Sequence, residues 1–456
     1  MKSHQINNRI RPGHLLYVAE QGCRSKYEHQ DGATIAEIGK EIVFDPSILD
    51  TYRYDGWQSV HYDLLVVCAT VEFADRRYAR SNIQWSRRFI ITVPVLELDV
   101  WQQPMVQTYL GDTLRHLTGD DWYFYFVEAD KSAVINHRQR SLDFGDIKQF
   151  AIAYSDGLDS RCVSGIYDQG SVRVRISKSK DKIKYGERPF DLIPFEVKIK
   201  SLESGVRSRG FKFAAITAIA GQLSGVSQIV VPESGQGALG PVLIPLHNVY
   251  ADYRNYPTFF RKMEHFIKVL LKYEVTYEQP RLWFTKGQTI SAYLTRPEVR
   301  PEDLLNTRSC WQQRWNIRID GKLRQCGLCA ACLLRRMSMH AACIDEPVDM
   351  YTFADLTATR YGDAIPRNNN VRSKEMIEYG SAGVRHLQQL ADLSEQPNAV
   401  LRPHAFEISR AINTSEQDTH DNLRKLLMQH AEEWRNFIRA QGKHSFISNW
   451  AERGAL

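Results

Sequence analysis

The sequence predicts an α/β protein, and three features of its texture lead there. Short apolar runs alternate with helix-length segments between about residues 144 and 347. β-Branched and aromatic runs crowd the first 140 residues or so, and polar amphipathic stretches fill the last 110 or so. At 456 residues, and about 150 per domain, the chain has room for roughly three domains. We divide it into a strand-rich N-terminal region (1–140), an α/β core (141–347) and a helical C-terminal region (348–456). Apolar residues make up 43% and charged residues 25%, which excludes the disordered, collagenous and fibrous classes. No run approaches the roughly 20 apolar residues of a membrane-spanning helix. The opening residues, Met1 to Asn8, lack the apolar stretch of a secretory signal. The expectation is a cytoplasmic protein with no membrane partner.

In the N-terminal region the expected strands are His14–Ala19, Asp63–Phe73, Arg88–Val100 and Trp122–Glu128, each a β-branched or aromatic run between polar segments. In the core they are Ile147–Tyr154, Val172–Ser177, Phe195–Ile199 and Gln228–Pro232. A helix is expected near Phe211–Leu223, in the pattern of a parallel sheet covered by helices. The tail supplies amphipathic helices over Ser373–Leu393 and Thr414–Arg439, with Pro397 and Pro403 marking helix boundaries.

The first chemical signal follows the strand that ends at Tyr154. Ser155-Asp156-Gly157-Leu158-Asp159-Ser160-Arg161 is a small, acidic turn running into a helix that begins near Asp159. Strand, tight turn and helix together aim backbone N–H groups and the positive end of a helix dipole at one point, which suits a phosphate. Gly157 allows close approach and an unusual backbone angle. Ser155 and Ser160 can donate to phosphate oxygens, and Asp159 can hold Mg²⁺ directly or through water.

The second signal is Cys310, then Cys326, Cys329 and Cys332, four thiols within 23 positions. Four thiolates suit a tetrahedral zinc ion, and with every position filled by protein the ion is structural and not hydrolytic. An iron–sulfur cluster uses the same ligands, and colour distinguishes the two. Cys23, Cys68, Cys162 and Cys343 stand apart and are expected to be core residues.

Net charge is only +6, but Ser171 to Lys212 holds twelve Lys and Arg against five Asp and Glu, either a solvated loop or an anion-binding rim. Arg207 and Arg209 open a helix, opposite to the dipole preference, and a bound anion would resolve that conflict. Glu233-Ser-Gly-Gln-Gly237 directly follows a strand, where open α/β sheets bind ligands, and is expected to border a nucleotide or form a plain turn. Tyr253, Tyr256, Phe259, Phe260, Trp311 and Trp315 can stack on a purine-like ring, although most read as core.

Ser155-Asp-Gly-Leu-Asp-Ser160 resembles the Ser-Gly-Gly-x-Asp-Ser signature of the PP-loop ATP pyrophosphatases. The cysteine region, with Ser309-Cys-Trp311, Cys326 to Arg336 and Asp345-Glu-Pro347, looks like the zinc segment of the 7-cyano-7-deazaguanine synthases. Between them, Asp252-Tyr-Arg-Asn-Tyr-Pro257 is similar to that family's Asp-Tyr-Ser-Gly-Tyr-Pro, and Gln279-Pro280 with Lys286 sits where a Pro and a Lys precede a helix. The resemblance covers residues 145–347 and implies a Rossmann-like PP-loop sheet carrying a zinc-binding segment. It implies ATP bound by Tyr154, Ser155, Asp156, Gly157, Leu158, Asp159, Ser160, Arg161, Arg209 and Glu233. Asp159 and Ser160 would be catalytic, Tyr256 and Lys286 would contact the substrate, and Mg²⁺ and Zn²⁺ would be the metals. The implied reaction adenylates a 7-deazaguanine carboxylate and transfers it to an amine.

The chain departs from the family at Asp156, which replaces a Gly and whose charge Arg161 could offset, and at Thr258, where the family has Asp. It also adds the two flanking regions and an insertion around Glu233–Tyr250. Long relatives of this kind resemble the deazaguanine-synthase-like proteins of bacterial anti-phage defence systems, the Qat system among them. The leading expectation is transfer of the activated carboxylate to an amine on a partner protein, with residues 1–140 docking that partner. The alternatives are an ammonia-using synthase, a tRNA-modifying enzyme whose basic stretch contacts RNA phosphates, and a catalytically dead nucleotide sensor.

Overall fold

The computed structural model describes residues 13–30, 32–46, 49, 57–80, 86–130, 148–155, 157–167, 170–177, 191–245, 250–312, 317–319, 322–364 and 373–453. In chain order the strands and helices are β1 (His14–Ala19), β2 (Thr34–Glu37), β3 (Ile42–Phe44), α1 (Ser59–Arg77), β4 (Arg88–Val95), α2 (Leu98–Trp101), α3 (Pro104–Thr118) and β5 (Asp121–Glu128). Next come β6 (Phe150–Ala153), α4 (Leu158–Ile166), β7 (Ser171–Ser177), β8 (Asp191–Val197), α5 (Arg209–Leu223), β9 (Gln228–Val230), α6 (Gly235–Leu243), α7 (Pro257–Leu271) and β10 (Thr276–Glu278). The remainder is α8 (Lys286–Leu294), α9 (Glu302–Leu305), β11 (Arg318–Ile319), β12 (Lys322–Leu323), α10 (Ala330–Ala341), α11 (Ser373–Asp392), α12 (Asn398–Ile412), α13 (Glu416–Gln441) and α14 (Phe446–Arg453). Packing sorts these into two units, both discontinuous in sequence. Met1–Ala151, Val174–Ile229 and Lys262–Thr276 form the first, and Ile152–Arg173, Val230–Arg261 and Tyr277–Leu456 the second.

The first unit is built on a parallel sheet in the order β2-β1-β4-β5, with His14 opposite Phe89 and Phe89 opposite Trp122. Parallel neighbours need crossovers, and α1 and α3 supply them. Beyond Val174, β7 runs parallel to β8, and β3 closes antiparallel on β8. The region is therefore α/β and not simply strand-rich, and the stretch that misleads is Asp63–Phe73. It is the middle of α1, where every residue from Leu64 to Val71 is buried. A helix buried on all sides loses its amphipathic period and reads like a buried strand; only its 19-residue length identifies it. The expected strand Arg88–Val100 stops at Val95. There the Asp63 carboxylate accepts the Leu96 N–H at 2.7 Å and the Glu97 N–H at 2.9 Å, drawing the chain out of the ladder into α2.

The expected core strands appear as β6 and β9, both shorter than expected, and as β7 and β8, which begin earlier, β8 also ending at Val197; the helix near Phe211–Leu223 is α5. Ile147 lies outside the described residues.

Among the described residues, the second unit has three apolar cores. One wraps the cysteine cluster with Leu333, Phe353, Trp434, Phe437 and Phe446. A second gathers Leu239, Tyr256, Leu282, Leu401 and Leu423. The third joins α4 to α8 through Leu158, Cys162, Ile290 and Tyr293. The helical tail thus packs directly on the cysteines. Pro397 caps α12 as expected, but Pro403 lies inside it. That helix continues past Pro403 because Leu401, Ala405 and Ile408 are buried, which outweighs one missing backbone hydrogen bond.

Candidate metal centre and the cluster around Asp159

Cys310, Cys326, Cys329 and Cys332 bring four sulfurs within 4.8 Å of one another. Cys326 Sγ and Cys332 Sγ are 3.7 Å apart, whereas a tetrahedron with Zn–S bonds of about 2.3 Å requires about 3.8 Å. The match is to a single ion such as zinc, since an iron–sulfur cluster interposes its own sulfides and needs a wider cradle. Backbone donors face the sulfurs: Cys329 N–H to Cys326 Sγ at 3.2 Å, Leu328 N–H to Cys326 Sγ at 3.4 Å and Cys326 N–H to Cys310 Sγ at 3.3 Å. They favour thiolates. The turn that arranges them needs Gly327, whose φ is +86° and whose added Cβ would lie 2.6 Å from the Phe353 carbonyl oxygen. Arg335, fully buried, ties α10 to the chain on either side by bonding Glu346 at 2.7 Å and the Thr307 carbonyl at 3.0 Å. Of the isolated cysteines, Cys68 and Cys162 are buried, Cys23 is half-buried and Cys343 is exposed. Cys343, just past α10 with φ +56°, is exposed and so is no core residue.

The turn before α4 keeps part of what its residue types promise. Ser155 Oγ and Ser160 Oγ lie 2.9 Å apart, and Gly157 is the N-cap of α4, where among the described residues no side chain satisfies the first N–H groups. The helix start is therefore an uncapped donor cluster. Gly157 has φ −74°, so the unusual angle expected of it is not used. Tyr154 is buried with the Arg173 guanidinium 5.9 Å from its ring, and Leu158 faces the core, leaving only its backbone to the turn. Arg161 sits in the first turn of α4, its N–H bonded to the Gly157 carbonyl at 3.1 Å. Asp156, Trp315 and residues 178–190 of the basic stretch lie outside the described residues.

Asp159 does not stand alone. Its Oδ2 is paired with Lys286 Nζ, from 127 residues further on, while its Oδ1 is buried without a partner among the described residues. Close packing of α4 on α8 makes the meeting possible: a Cβ on Gly165 would fall 2.0 Å from the Tyr293 ring. Lys286 is the first residue of α8, behind a Thr285–Gln288 capping box. Burial works against its charge, but Asp159 and Glu233 outweigh it and raise its pKa. Glu233 accepts Asn255 Nδ2 at 2.9 Å, and burial plus the Asp159 charge push its pKa up to about 8. Asn255 belongs to the Asp252–Pro257 segment, where Arg254 holds Asp252 and Gln279 Nε2 donates to the Asn255 carbonyl at 2.7 Å. Ser234, capping α6, has a buried hydroxyl without a partner.

One expected substrate residue is a core residue. Tyr256 is fully buried in the second apolar core, its hydroxyl 3.5 Å from Glu407 Oε2, and so serves packing and not a ligand. Phe259 and Phe260 are core as well, while Trp311 is exposed. Arg209 is the first residue of α5, its guanidinium 5.6 Å from the Phe213 ring. The anion expected near Arg207 is also internal: Asp75 Oδ2 accepts the Arg207 and Ser208 N–H groups at 2.7 Å each. Two residues that the sequence did not single out are His430 and Glu433, on α13. Their signal was two polar side chains interrupting the buried stripe of Leu426, Leu427, Ala431 and Trp434.

Among the described residues, no helix is long and apolar enough to cross a membrane. Compared with protein-family models, curated proteins and solved structures, the chain matches none.

Proposed function

We propose that the chain is an ATP-dependent, AMP- and pyrophosphate-forming ligase of PP-loop type. It adenylates a 7-deazaguanine carboxylate and transfers the acyl group to an amine on a partner protein, in the cytoplasm and in anti-phage defence. The observation that carries this reading is the meeting of Asp159 and Lys286 beside the uncapped start of α4, with Ser155 and Ser160 at the same turn. A carboxylate oxygen is a poor leaving group. In the first step it attacks the α-phosphorus and the bond to the β-phosphate oxygen breaks; in the second the amine nitrogen attacks the acyl carbon, AMP leaves and the amine loses a proton. The α4 N–H groups and the two serine hydroxyls supply donors for phosphate oxygens. Lys286, kept protonated by its acids, supplies fixed positive charge for the departing pyrophosphate. Asp159 Oδ1 is the free oxygen that would hold Mg²⁺, which supplies charge neutralisation when bound. The four cysteines would hold zinc as a structural ion.

Pyrophosphate release on mixing the protein with ATP, Mg²⁺ and 7-carboxy-7-deazaguanine tests the first step. Asp159→Ala and Ser160→Ala should abolish it. Intact-mass spectrometry of a partner protein tests the second. Free nitrile with no mass increase would reassign the acceptor to ammonia, and ATP binding without pyrophosphate release would make the chain a nucleotide sensor.

A further inference from the structure

Behind Lys286 lies a set of buried polar groups that the proposed chemistry does not use. Thr285 Oγ1 donates to Glu433 Oε1 at 2.5 Å, and Gln429 Nε2 reaches the same oxygen at 3.2 Å. A Cβ on Gly287 would lie 3.0 Å from that oxygen, so the carboxyl group sits against the first turn of α8. Glu433 Oε2 is buried without a partner. A second line approaches the same turn. The Lys286 backbone N–H donates to Gln236 Oε1 at 2.7 Å, Gln236 Nε2 meets His430 Nδ1 at 2.8 Å, and His430 Nε2 meets the Leu387 carbonyl oxygen at 2.9 Å.

The donor and acceptor roles along that line are forced. A carbonyl only accepts, so His430 Nε2 carries the proton and Nδ1 accepts. Gln236 must then turn its NH₂ to His430 and its oxygen to Lys286. Burial keeps His430 neutral, which is the state this line requires. One hydrogen-bonded line therefore runs from α11 through α13 and α6 to the residue whose ammonium meets Asp159.

We propose that Glu433 and His430 are positioning residues that fix Lys286 against Asp159 through Thr285 and Gln236, making α13 a working part of the site. The inference rests on the ligase reading for its kinetic readout, but the placement of Lys286 can be read without it. The full-length, metal-loaded protein and its Glu433→Gln, Gln236→Met, Thr285→Val and Thr285→Ser variants are compared in two ways. Pyrophosphate release with saturating ATP and 7-carboxy-7-deazaguanine reports kcat and KM. An amine-reactive reagent, followed by peptide mass spectrometry, reports labelling of Lys286 relative to the exposed Lys268.

The expected result is a kcat lowered on the order of tenfold to a hundredfold in the first three variants, with KM for ATP little changed and with Lys286 labelled several-fold faster. Thr285→Ser, which keeps the hydroxyl, should restore both readouts. Wild-type kcat with unchanged Lys286 labelling in the first three would overturn the proposal. If the wild type releases no pyrophosphate, the ligase reading fails and labelling alone decides the positioning claim. If Glu433→Gln does not fold, the contrast between Thr285→Val and Thr285→Ser decides it: equal labelling of Lys286 in those two overturns the proposal.

Discussion

In the first unit, Asp75 and Asp120 lie buried between Arg80 and Arg87, and each of their four carboxylate oxygens accepts at least two hydrogen bonds. In the second unit, Asp159 and Glu433 are also held by cations or hydroxyls, yet each keeps one buried oxygen with no partner. The groups left over in the first cluster are Arg80 Nε and Ser208 Oγ, neither of them a carboxylate oxygen. Sequence alone suggests the opposite emphasis, since Arg207 beside a helix start reads as an anion site. The lesson concerns closure. A buried cluster whose acceptors are all used fixes structure, whereas one that leaves an acceptor idle has capacity for a ligand.

The comparison can be pressed hardest at the zinc ion proposed for the four cysteines. Removing it with a strong chelator should withdraw folding energy of about 10–16 kcal/mol from the second unit. Hydrogen exchange should accelerate sharply in α10 and α13 and leave β4 of the first unit protected; equal loss in both would break the distinction. Next in size is Arg87→Ala, which leaves two buried carboxylates, Asp75 and Asp120, sharing the single cation Arg80 of the pair that holds them. We expect about 3–5 kcal/mol, read as a lowered urea midpoint. The double change Asp159→Asn with Lys286→Met removes an ion pair as a unit and should cost no more than about 1 kcal/mol, while abolishing pyrophosphate release. A large stability loss there would make the second cluster structural like the first.

A third contrast is pH. Burial raises Glu433 from its ordinary 4.5 to about 7, so the folded state binds its proton more tightly than the unfolded state. Its stabilising contribution is complete below pH 4.5 and fades as pH rises through 7. Asp75, where Arg87 and the two amides outweigh burial, is shifted the other way and contributes above its ordinary value. Glu433→Gln should therefore gain on the wild type by up to about 3 kcal/mol between pH 5 and pH 8, visible in thermal midpoints, even as kcat falls. The smallest effect belongs to Gly157→Ala. Its φ of −74° accepts a side chain, so stability should move by less than about 1 kcal/mol. Pyrophosphate release should still fall, because the new Cβ lies 3.2 Å from Ser155 Oγ at the donor cluster.

Legibility followed sequence distance. Cys326, Cys329 and Cys332 sit on one knuckle and helix start, so their spacing announced them, and Cys310 came with them by residue type. The strand–turn–helix around Ser155 was equally local. Lys286 was recognised only through resemblance, and nothing in its neighbourhood announces that it meets Asp159. Tyr256 was misplaced because an aromatic ring reads alike whether it lines a pocket or fills a core. Asp63–Phe73 was misread because complete burial erases the period that separates a helix from a strand.

What the chain by itself determined is local chemistry: an α/β alternation, a four-thiolate cradle and a turn able to present backbone donors. These depend on neighbours within a few residues, where covalent geometry limits the choices. Tertiary structure decided which acids would be saturated and which left with an open oxygen, because that depends on partners contributed by segments more than a hundred residues away. Asp75 met Arg207 and Ser208, and Asp159 met Lys286. Packing of α4, α8 and α13 set that difference, and no local pattern encodes it.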